Sequence, residues 1–341
     1  MNNHFPLPEW HQQVASVIVW PHQYSDWLPR LTKITKTYLE MAKVISHIQP
    51  LIIVHYDHEH KNLIEELCSS NNCHMQFISF VEIKTNDTWI RDYGPQFVSD
   101  SQSLIYLDME FNAWGEHYTY DLDNAFSENF YKALNQTKME YARIPLVVEG
   151  GNLDFNSQGI LLTNLACIKR NNPNKSYTDT DLIEQLKNIF HAKQVIGLNS
   201  HALTGDDTGG HIDTLARFIN DEVIVHAATL NSDDPNHSCL QSLSKQLKSN
   251  KQTCQLVPIE LPSTPVQTQD GDYLPTSYIN FVFLNEFLLV PLYNDPNDAI
   301  ALKTFSTLCP DRNIIGIDAS ELIQQFGSLH CATLHLPKNT R

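Results

Sequence analysis

Cys331 lies in Gly327-Ser-Leu-His-Cys-Ala-Thr333, and three other short segments supply what a thiol there would need to attack a guanidinium group. They are Trp89-Ile-Arg-Asp-Tyr-Gly-Pro95, Glu149-Gly-Gly-Asn152 and Gly210-His-Ile-Asp213. A guanidinium carbon is a poor electrophile because its charge is spread over the attached nitrogens. Hydrolysing it takes a strong nucleophile, a clamp that fixes the plane and a group that passes a proton to departing ammonia. Thiolate is the most nucleophilic side chain near neutral pH, provided nearby positive charge lowers its pKa. A bound cationic substrate and a protonated histidine would each do that. Carboxylates suit the clamp, because they accept paired N–H bonds from a fork-shaped cation.

Asp92 and Asp213 are the clamp candidates. His211 and Asp213 are spaced i, i+2 on an expected strand, which would point both to one face. One could then serve as general acid/base while the other grips the substrate. Taken singly, each residue has a plainer reading. A lone Cys in a strand is usually buried structure. His-x-Asp is commonly a hydrogen-bonded pair, Arg91-Asp92 an ion pair opening a turn, and Glu149-Gly-Gly a turn with a solvated carboxylate. Trp89 reads as core packing, or as an aromatic wall beside a guanidinium through cation–π attraction. His55-Tyr-Asp-His-Glu-His60 resembles a metal cluster in composition. It reads as a solvated loop, since neither His-x-x-x-His on a helix nor paired cysteines accompanies it.

The elements that must position these residues alternate short apolar runs with amphipathic stretches. Ser16–Trp20, Leu51–Tyr56 and Met75–Phe80 read as buried strands. The span Trp27–Gln49 carries Leu28, Leu31, Ile34, Tyr38, Met41 and Ile45 at helical spacing, and Lys61–Cys68 reads as the next helix. Gln96–Ser99 and Ser103–Asp108 predict a hairpin, Leu122–Leu134 a helix, and Leu146–Val148 with Gly159–Thr163 a second hairpin around Asn156-Ser-Gln-Gly159. A helix near Thr180–Phe190 precedes strands at His211–Phe218 and Glu222–His226. Helix Leu240–Lys248 leads to strand Gln255–Ile259. Tyr278–Phe283 and Phe287–Leu292 pair around Asn285-Glu286, and helix Ala299–Leu308 precedes Asn313–Ile317. A last helix, Glu321–Phe326, runs into Leu329–Leu334. The recurring hairpin, helix and strand predict one repeat-built α/β domain over residues 1–341, with Leu261–Asp272 as a surface loop.

Of 341 residues, 42% are hydrophobic and 10% aromatic, which fits a globular protein. The balance of 23 basic against 39 acidic residues gives a net charge of −16, a field that repels nucleic acid and anionic lipid and favours small cations. No secretory signal is read in the opening residues, and Tyr278–Tyr293 is too short and too polar to span a bilayer. Seven scattered cysteines without a Cys-x-x-Cys pair fit reduced thiols in a cytoplasmic protein.

The segments then acquire a family. The chain resembles the agmatine deiminase and Porphyromonas-type peptidylarginine deiminase family of the guanidine-modifying superfamily. The resemblance rests on Pro8-Glu-Trp10, Trp20-Pro-His22, Asn86-Asp-Thr-Trp-Ile-Arg-Asp-Tyr-Gly-Pro95, Phe111-Asn-Ala-Trp-Gly115, Glu149-Gly-Gly151, Gly210-His-Ile-Asp213, Ser277-Tyr-Ile-Asn280 and Leu329-His-Cys331, in family order. It implies the pentein fold, a five-bladed α/β propeller with pseudo-fivefold symmetry and a central active site. It also implies that neither a metal nor an organic cofactor is needed.

Carried over by position, Cys331 is the nucleophile, His211 the general acid/base, and Asp92 and Asp213 the grip on the guanidinium. Trp89, Glu149 and Asn280 would line the pocket. Two departures bear on the substrate tail: Thr208-Gly-Gly-His211 where the family often has Thr-Asp-Gly-His, and Asn152 where Glu-Gly-Gly-Ser is common. The expected activity is hydrolysis of a C–N bond in a linear amidine, agmatine plus water giving N-carbamoylputrescine and ammonia. Free arginine and peptidyl-arginine are alternative substrates. The expected partner is the small cationic guanidine, with no nucleic acid or membrane, and a homo-oligomer is compatible with the sequence. A cysteine amide hydrolase would use Cys331 and His211 without two facing carboxylates. A non-catalytic cation-binding protein would have a blocked pocket, or a cation affinity that survives Cys331→Ala with no turnover in the parent.

Overall fold

The computed structural model of the protein describes residues 5–99, 103–134, 139–250, 254–268 and 270–339. Within them the chain builds a mixed α/β fold from five small sheets. The units share one construction: an antiparallel pair, then helix, then a strand added in parallel. Gln96–Ser99 and Leu104–Glu110 are antiparallel, and Met139–Val147 joins in parallel after helix Phe126–Ala133. Asp154–Phe155 and Ile160–Asn164 are followed by helix Asp179–Phe190 and strand Gln194–Leu198. Ala216–Asn220 and Val223–Ala228 are followed by helix His237–Ser249 and strand Gln255–Glu260. Val282–Leu284 and Phe287–Leu292 are followed by helix Asn297–Leu308 and strand Asn313–Asp318.

The remaining sheet joins the two ends of the chain. Leu334–Pro337 pairs antiparallel with Gln13–Val19, which carries Leu51–His55 and Ile78–Glu82 in parallel. The register Leu334↔Val17 fixes the segment carrying Cys331 to the first strands of the protein.

The packing follows from sequence pattern. Helix Leu31–Ile48 buries Ile34, Tyr38, Met41, Ala42 and Ile45, one stripe at i, i+3/i+4 spacing. Val17 to Trp20 are all buried, as befits a strand covered on both faces. Asp179–Phe190 starts from a capping box between Thr178 and Asp181 and buries Leu182, Leu186 and Phe190.

Several expectations need correcting. Leu122–Leu134 is two helices, Asp121–Asn124 and Phe126–Ala133, because the Asp123 carboxylate accepts from the Asn86 and Asp87 N–H groups instead of facing the solvent side of one long helix. The hairpin around Asn156–Gly159 pairs Asp154–Phe155, not Leu146–Val148, with the following strand; Leu146 and Val147 end a strand of the preceding sheet. Met75–Phe77 is a 3-10 turn before Ile78–Glu82, and Glu321–Phe326 contracts to the 3-10 turn Leu322–Gln325. The histidine-rich segment opens helix His58–Ser70, with Asp57 as N-cap accepting from His60 N–H, and is not a loop. Gln269, within the expected surface loop, lies outside the described residues. Among the described residues no helix is long and apolar enough to cross a membrane.

Candidate active site

All the candidate residues sit in short turns, each just before the first strand of an antiparallel pair. Asp92 is in the helical turn Ile90–Tyr93, ahead of Gln96–Ser99. Glu149 caps the 3-10 turn Gly150–Asn152, ahead of Asp154–Phe155. His211 is the N-cap of Ile212–Leu215, which contains Asp213 and leads into Ala216–Asn220. Asn280 precedes Val282–Leu284, and Cys331 precedes Leu334–Pro337. Two expectations fail here. His211–Phe218 is not one strand, so pleat alternation does not align His211 with Asp213; one helical turn fans both into the same space. Cys331 likewise lies in a turn and not in a strand.

Hydrogen bonds tie these turns into a ring. Arg91 N–H donates to the Cys331 carbonyl at 3.2 Å, and Gly151 N–H to Asp92 Oδ1 at 3.0 Å. Asn152 Nδ2 donates to the Asn164 carbonyl at 3.0 Å, and Asn164 Nδ2 to the Gly210 carbonyl at 2.7 Å. Ser277 Oγ donates to the Thr214 carbonyl at 2.7 Å, and His330 N–H to Asn280 Oδ1 at 2.8 Å. The ring explains the glycines. A Cβ on Gly150 would lie 2.0 Å from the Arg91 carbonyl oxygen, and one on Gly151 would lie 2.6 Å from Asp92 Oδ1 and 2.7 Å from His211 Nδ1.

Within the ring Trp89, Asp92, His211, Asp213 and Cys331 line one narrow cleft, walled by Trp114 and Phe326. Cys331 Sγ lies 3.3 Å from Asn280 Nδ2 and 3.6 Å from Asp213 Oδ2. Asp213 Oδ2 accepts from His330 Nδ1 at 2.7 Å, which leaves Oδ1 buried and without a partner. Asp92 Oδ2 accepts from Trp114 Nε1 at 2.9 Å, and Oδ1 lies 3.5 Å from His211 Nδ1. His211 Nε2 is 3.7 Å from Glu149 Oε2. Glu149 therefore faces His211 and does not line the open cleft. Asn280 reaches the sulfur.

The charges follow from burial and pairing. Burial pushes Asp92 up to about 7, with Asp213 and Glu149 adding repulsion and His211 opposing. Burial would also raise Asp213, but the His330 hydrogen bond and charge hold it below the usual carboxylate range. Burial works against a charged His211, yet Asp92 and Glu149 raise it well above the ordinary imidazole value. The Cys331 thiol is pushed well up by burial, then by Asp213 and Asp92. Burial and the two carboxylates thus favour the protonated sulfur, and a cation between these carboxylates would oppose that balance.

Three contributors escaped the sequence reading. Trp114 sits in Phe111-Asn-Ala-Trp-Gly115, a matched motif with no assigned role. Its φ of 56°, with Ala113 at 49° and Glu116 at 67°, is left-handed backbone that costs energy and aims the indole at Asp92. His330 sits beside the nucleophile. Its Nε2 lies 2.6 Å from Glu9 Oε2, so two carboxylates hold the imidazole from opposite sides. Glu9, from Pro8-Glu-Trp10, also pairs with buried Arg217 at 2.5 Å and Arg91 at 3.8 Å. The signal was present in both motifs, but long-range pairing is invisible in spacing.

The two departures are accommodated away from the sulfur. Gly209 has φ +92°, and a Cβ there would lie 2.6 Å from Arg170 Nη1, so the arginine occupies the space of the missing side chain. Asn152 exchanges hydrogen bonds with the Asn164 backbone and braces the ring. Among the described residues Cys68, Cys73, Cys167, Cys239, Cys309 and Cys331 are free thiols. Glu149, Cys167 and His211 bring three potential metal-ligand atoms within 4.8 Å of one another, a grouping that spacing did not suggest.

The model of the Porphyromonas-type peptidyl-arginine deiminase family matches residues 5–337. The chain belongs to that family. A C. jejuni agmatine deiminase with substrate bound is 34% identical, with TM-score 0.91 over 99% of this chain and 97% of that one. A second structure titled C. jejuni agmatine deiminase gives TM-score 0.88 at 34% identity, covering 99% and 97%. A Legionella pneumophila (strain Paris) relative, whose agmatine deiminase name is provisional, is 30% identical over 98% of this chain and 96% of its own. In this family member, the carboxylates, imidazole and thiol named above meet in one cleft.

Proposed function

We propose that the protein hydrolyses agmatine to N-carbamoylputrescine and ammonia through a covalent bond to Cys331. The observation that carries this reading is the buried Asp213 carboxylate, whose Oδ2 lies 3.6 Å from the Cys331 sulfur and whose Oδ1 has no partner, in a cleft shared with Asp92 and His211. An amide hydrolase has no use for two carboxylates around its scissile carbon; a guanidinium cation does. The thiol, the imidazole and both carboxylates share that cleft, which disfavours a merely cation-binding protein.

The guanidinium lies between Asp92 and Asp213, with Trp89 against its face. Its charge offsets the carboxylates that keep the Cys331 thiol protonated, so the thiol releases its proton to solvent as the cation binds, and the Asn280 amide donates to the thiolate that results. Sulfur attacks the guanidinium carbon. His211, held as imidazolium by Asp92 and Glu149, passes its proton to the departing nitrogen, which leaves as ammonia and gives an S-alkylthiouronium. Neutral His211 then takes a proton from water. The hydroxide adds to the same carbon, the C–S bond breaks, and the ureido product leaves with the thiol restored.

A small dication fits the mouth. Outward, the cleft continues past Trp114 and Phe326 to Asp26, Asp87 and Asp207, with Tyr118 donating to Asp207 at 2.9 Å. Those carboxylates would receive the terminal ammonium of agmatine, which arginine replaces with a zwitterion. The C. jejuni deiminase with substrate bound supports the same choice. We further read the five similar sheets and their ring of turns as a pentein propeller forming a single domain, each blade supplying one turn to the centre.

The test is ammonia release from agmatine, arginine, an arginine peptide and dimethylarginine in parallel. Turnover of agmatine well above the other three supports the assignment. Preferential turnover of the peptide or of arginine keeps the chemistry and replaces the substrate, and silence on all four by folded protein defeats it.

A further inference from the structure

Among the buried thiols that the mechanism does not use, one stands beside His211. Cys167, on helix Leu165–Asn171, lies beside His211 and does not line the cleft that His211 shares with Cys331. Its thiol donates to the Thr208 carbonyl at 3.4 Å and lies 3.7 Å from Asn171 Nδ2, which also donates to Glu149 Oε1 at 2.9 Å and to the Thr208 carbonyl at 3.5 Å. Cys167, Glu149 and His211 are all completely or almost completely buried. Glu149 Oε2 and both ring nitrogens of His211 have no hydrogen-bond partner, although burial makes such orphans costly. One ring nitrogen of His211, one carboxylate oxygen of Glu149 and the Cys167 sulfur lie within 4.8 Å of one another.

We infer that Glu149, Cys167 and His211 form an inhibitory site for a thiophilic divalent cation of the Zn²⁺ class. One thiolate, one imidazole and one carboxylate are a donor set for a borderline-soft ion; hard Mg²⁺ and Ca²⁺ prefer all-oxygen shells. The ligands come from three separate segments, and Asn171 braces two of them from outside, as supporting hydrogen bonds do at metal sites. His211 also borders the cleft, so solvent there can supply a fourth ligand and the ion has a way in.

The consequence rests on the acid/base role proposed for His211. An ion on its ring nitrogen removes the lone pair and the proton that both half-reactions use.

Metal-free Cys331→Ser protein, loaded with one equivalent of Zn²⁺ and read by X-ray absorption, tests the site without any need for turnover. One sulfur at about 2.3 Å with nitrogen and oxygen at about 2.0–2.1 Å supports it. A shell without sulfur, or with two sulfurs as a Cys68–Cys73 site would give, overturns it. In the active parent, Zn²⁺ should inhibit agmatine turnover reversibly with EDTA. The inhibitory concentration, normalised to each protein's metal-free rate, should rise about tenfold or more in Cys167→Ser. Equal inhibition of both places the ion on Cys331 and overturns the assignment. A parent with no deiminase activity whose Cys331→Ser form shows the one-sulfur shell would retain the site and defeat the proposed function alone.

Discussion

Replacing Gly151 with alanine puts a methyl group into the contact between the two halves of the acid/base machinery. The new Cβ would lie 2.6 Å from Asp92 Oδ1 and 2.7 Å from His211 Nδ1, about 0.8 and 0.7 Å short of the 3.4 Å at which ordinary contact begins. Both atoms are buried, and Asp92 is braced by Trp114 and by the Gly151 N–H itself. The strain must therefore be relieved by moving a reacting group or the backbone that carries it. Misplacement by about 1 Å can cost roughly a hundredfold in rate, so a shift of this size predicts a loss of about 10- to 100-fold in kcat/KM. Overpacking costs about 1–3 kcal/mol, and for a chain of this length that corresponds to a fall in Tm of about 1–4 °C. Steady-state agmatine turnover beside thermal unfolding separates the two effects. A folded Gly151→Ala enzyme with parental kcat/KM would refute the placement of Asp92 and His211 around this glycine.

Other perturbations have signs fixed by the geometry. Asp92 must be ionised to hold the cation, so kcat/KM should fall as pH drops through about 7; Trp114→Phe removes a hydrogen bond that favours the ionised form and should move that acidic limb to higher pH. A limb that stays put, or moves down, counts against the Trp114–Asp92 pairing. Glu9 is held well below its ordinary value: burial opposes its charge, and Arg217, His330 and Arg91 outweigh burial. Its stabilisation is present above the unfolded pKa near 4.5 and is lost as pH falls toward the lower folded value. Glu9→Gln should cost about 3–5 kcal/mol at neutral pH, with the Tm difference from the parent shrinking below pH 4.5; a pH-independent difference would show that Glu9 acts through packing. Asp207→Asn should raise KM for agmatine by about tenfold, roughly the 1.4 kcal/mol of one charged contact, with kcat little changed. An unchanged KM would move the ammonium elsewhere.

Chemistry was easier to read than architecture. Cys331, His211, Asp92 and Asp213 were legible because a guanidinium demands those groups, and the cleft does bring them together. The helix over Leu31–Ile48 was legible from its stripe, and so were most strand cores. The turns were not. His211–Phe218 and Leu329–Leu334 have strand-like composition, yet both begin with a turn whose hydrogen bonds go to neighbouring units rather than to a ladder. Local pattern carries no record of such ring contacts. For the same reason Glu9 and His330, 321 residues apart in sequence, gave no sign of meeting. Glu149 looked like a solvated turn residue because nothing in Glu-Gly-Gly announces that it is wholly buried against a histidine.

Covalent deimination at Cys331 is tested most directly by quantifying ammonia and N-carbamoylputrescine together from agmatine, with the parent enzyme and with Cys331→Ser. The parent should form the two products in equal amounts. Cys331→Ser should form neither while still binding agmatine in a calorimetric titration. Persistent turnover by the folded serine variant, or agmatine left intact by the folded parent, would contradict the proposed chemistry.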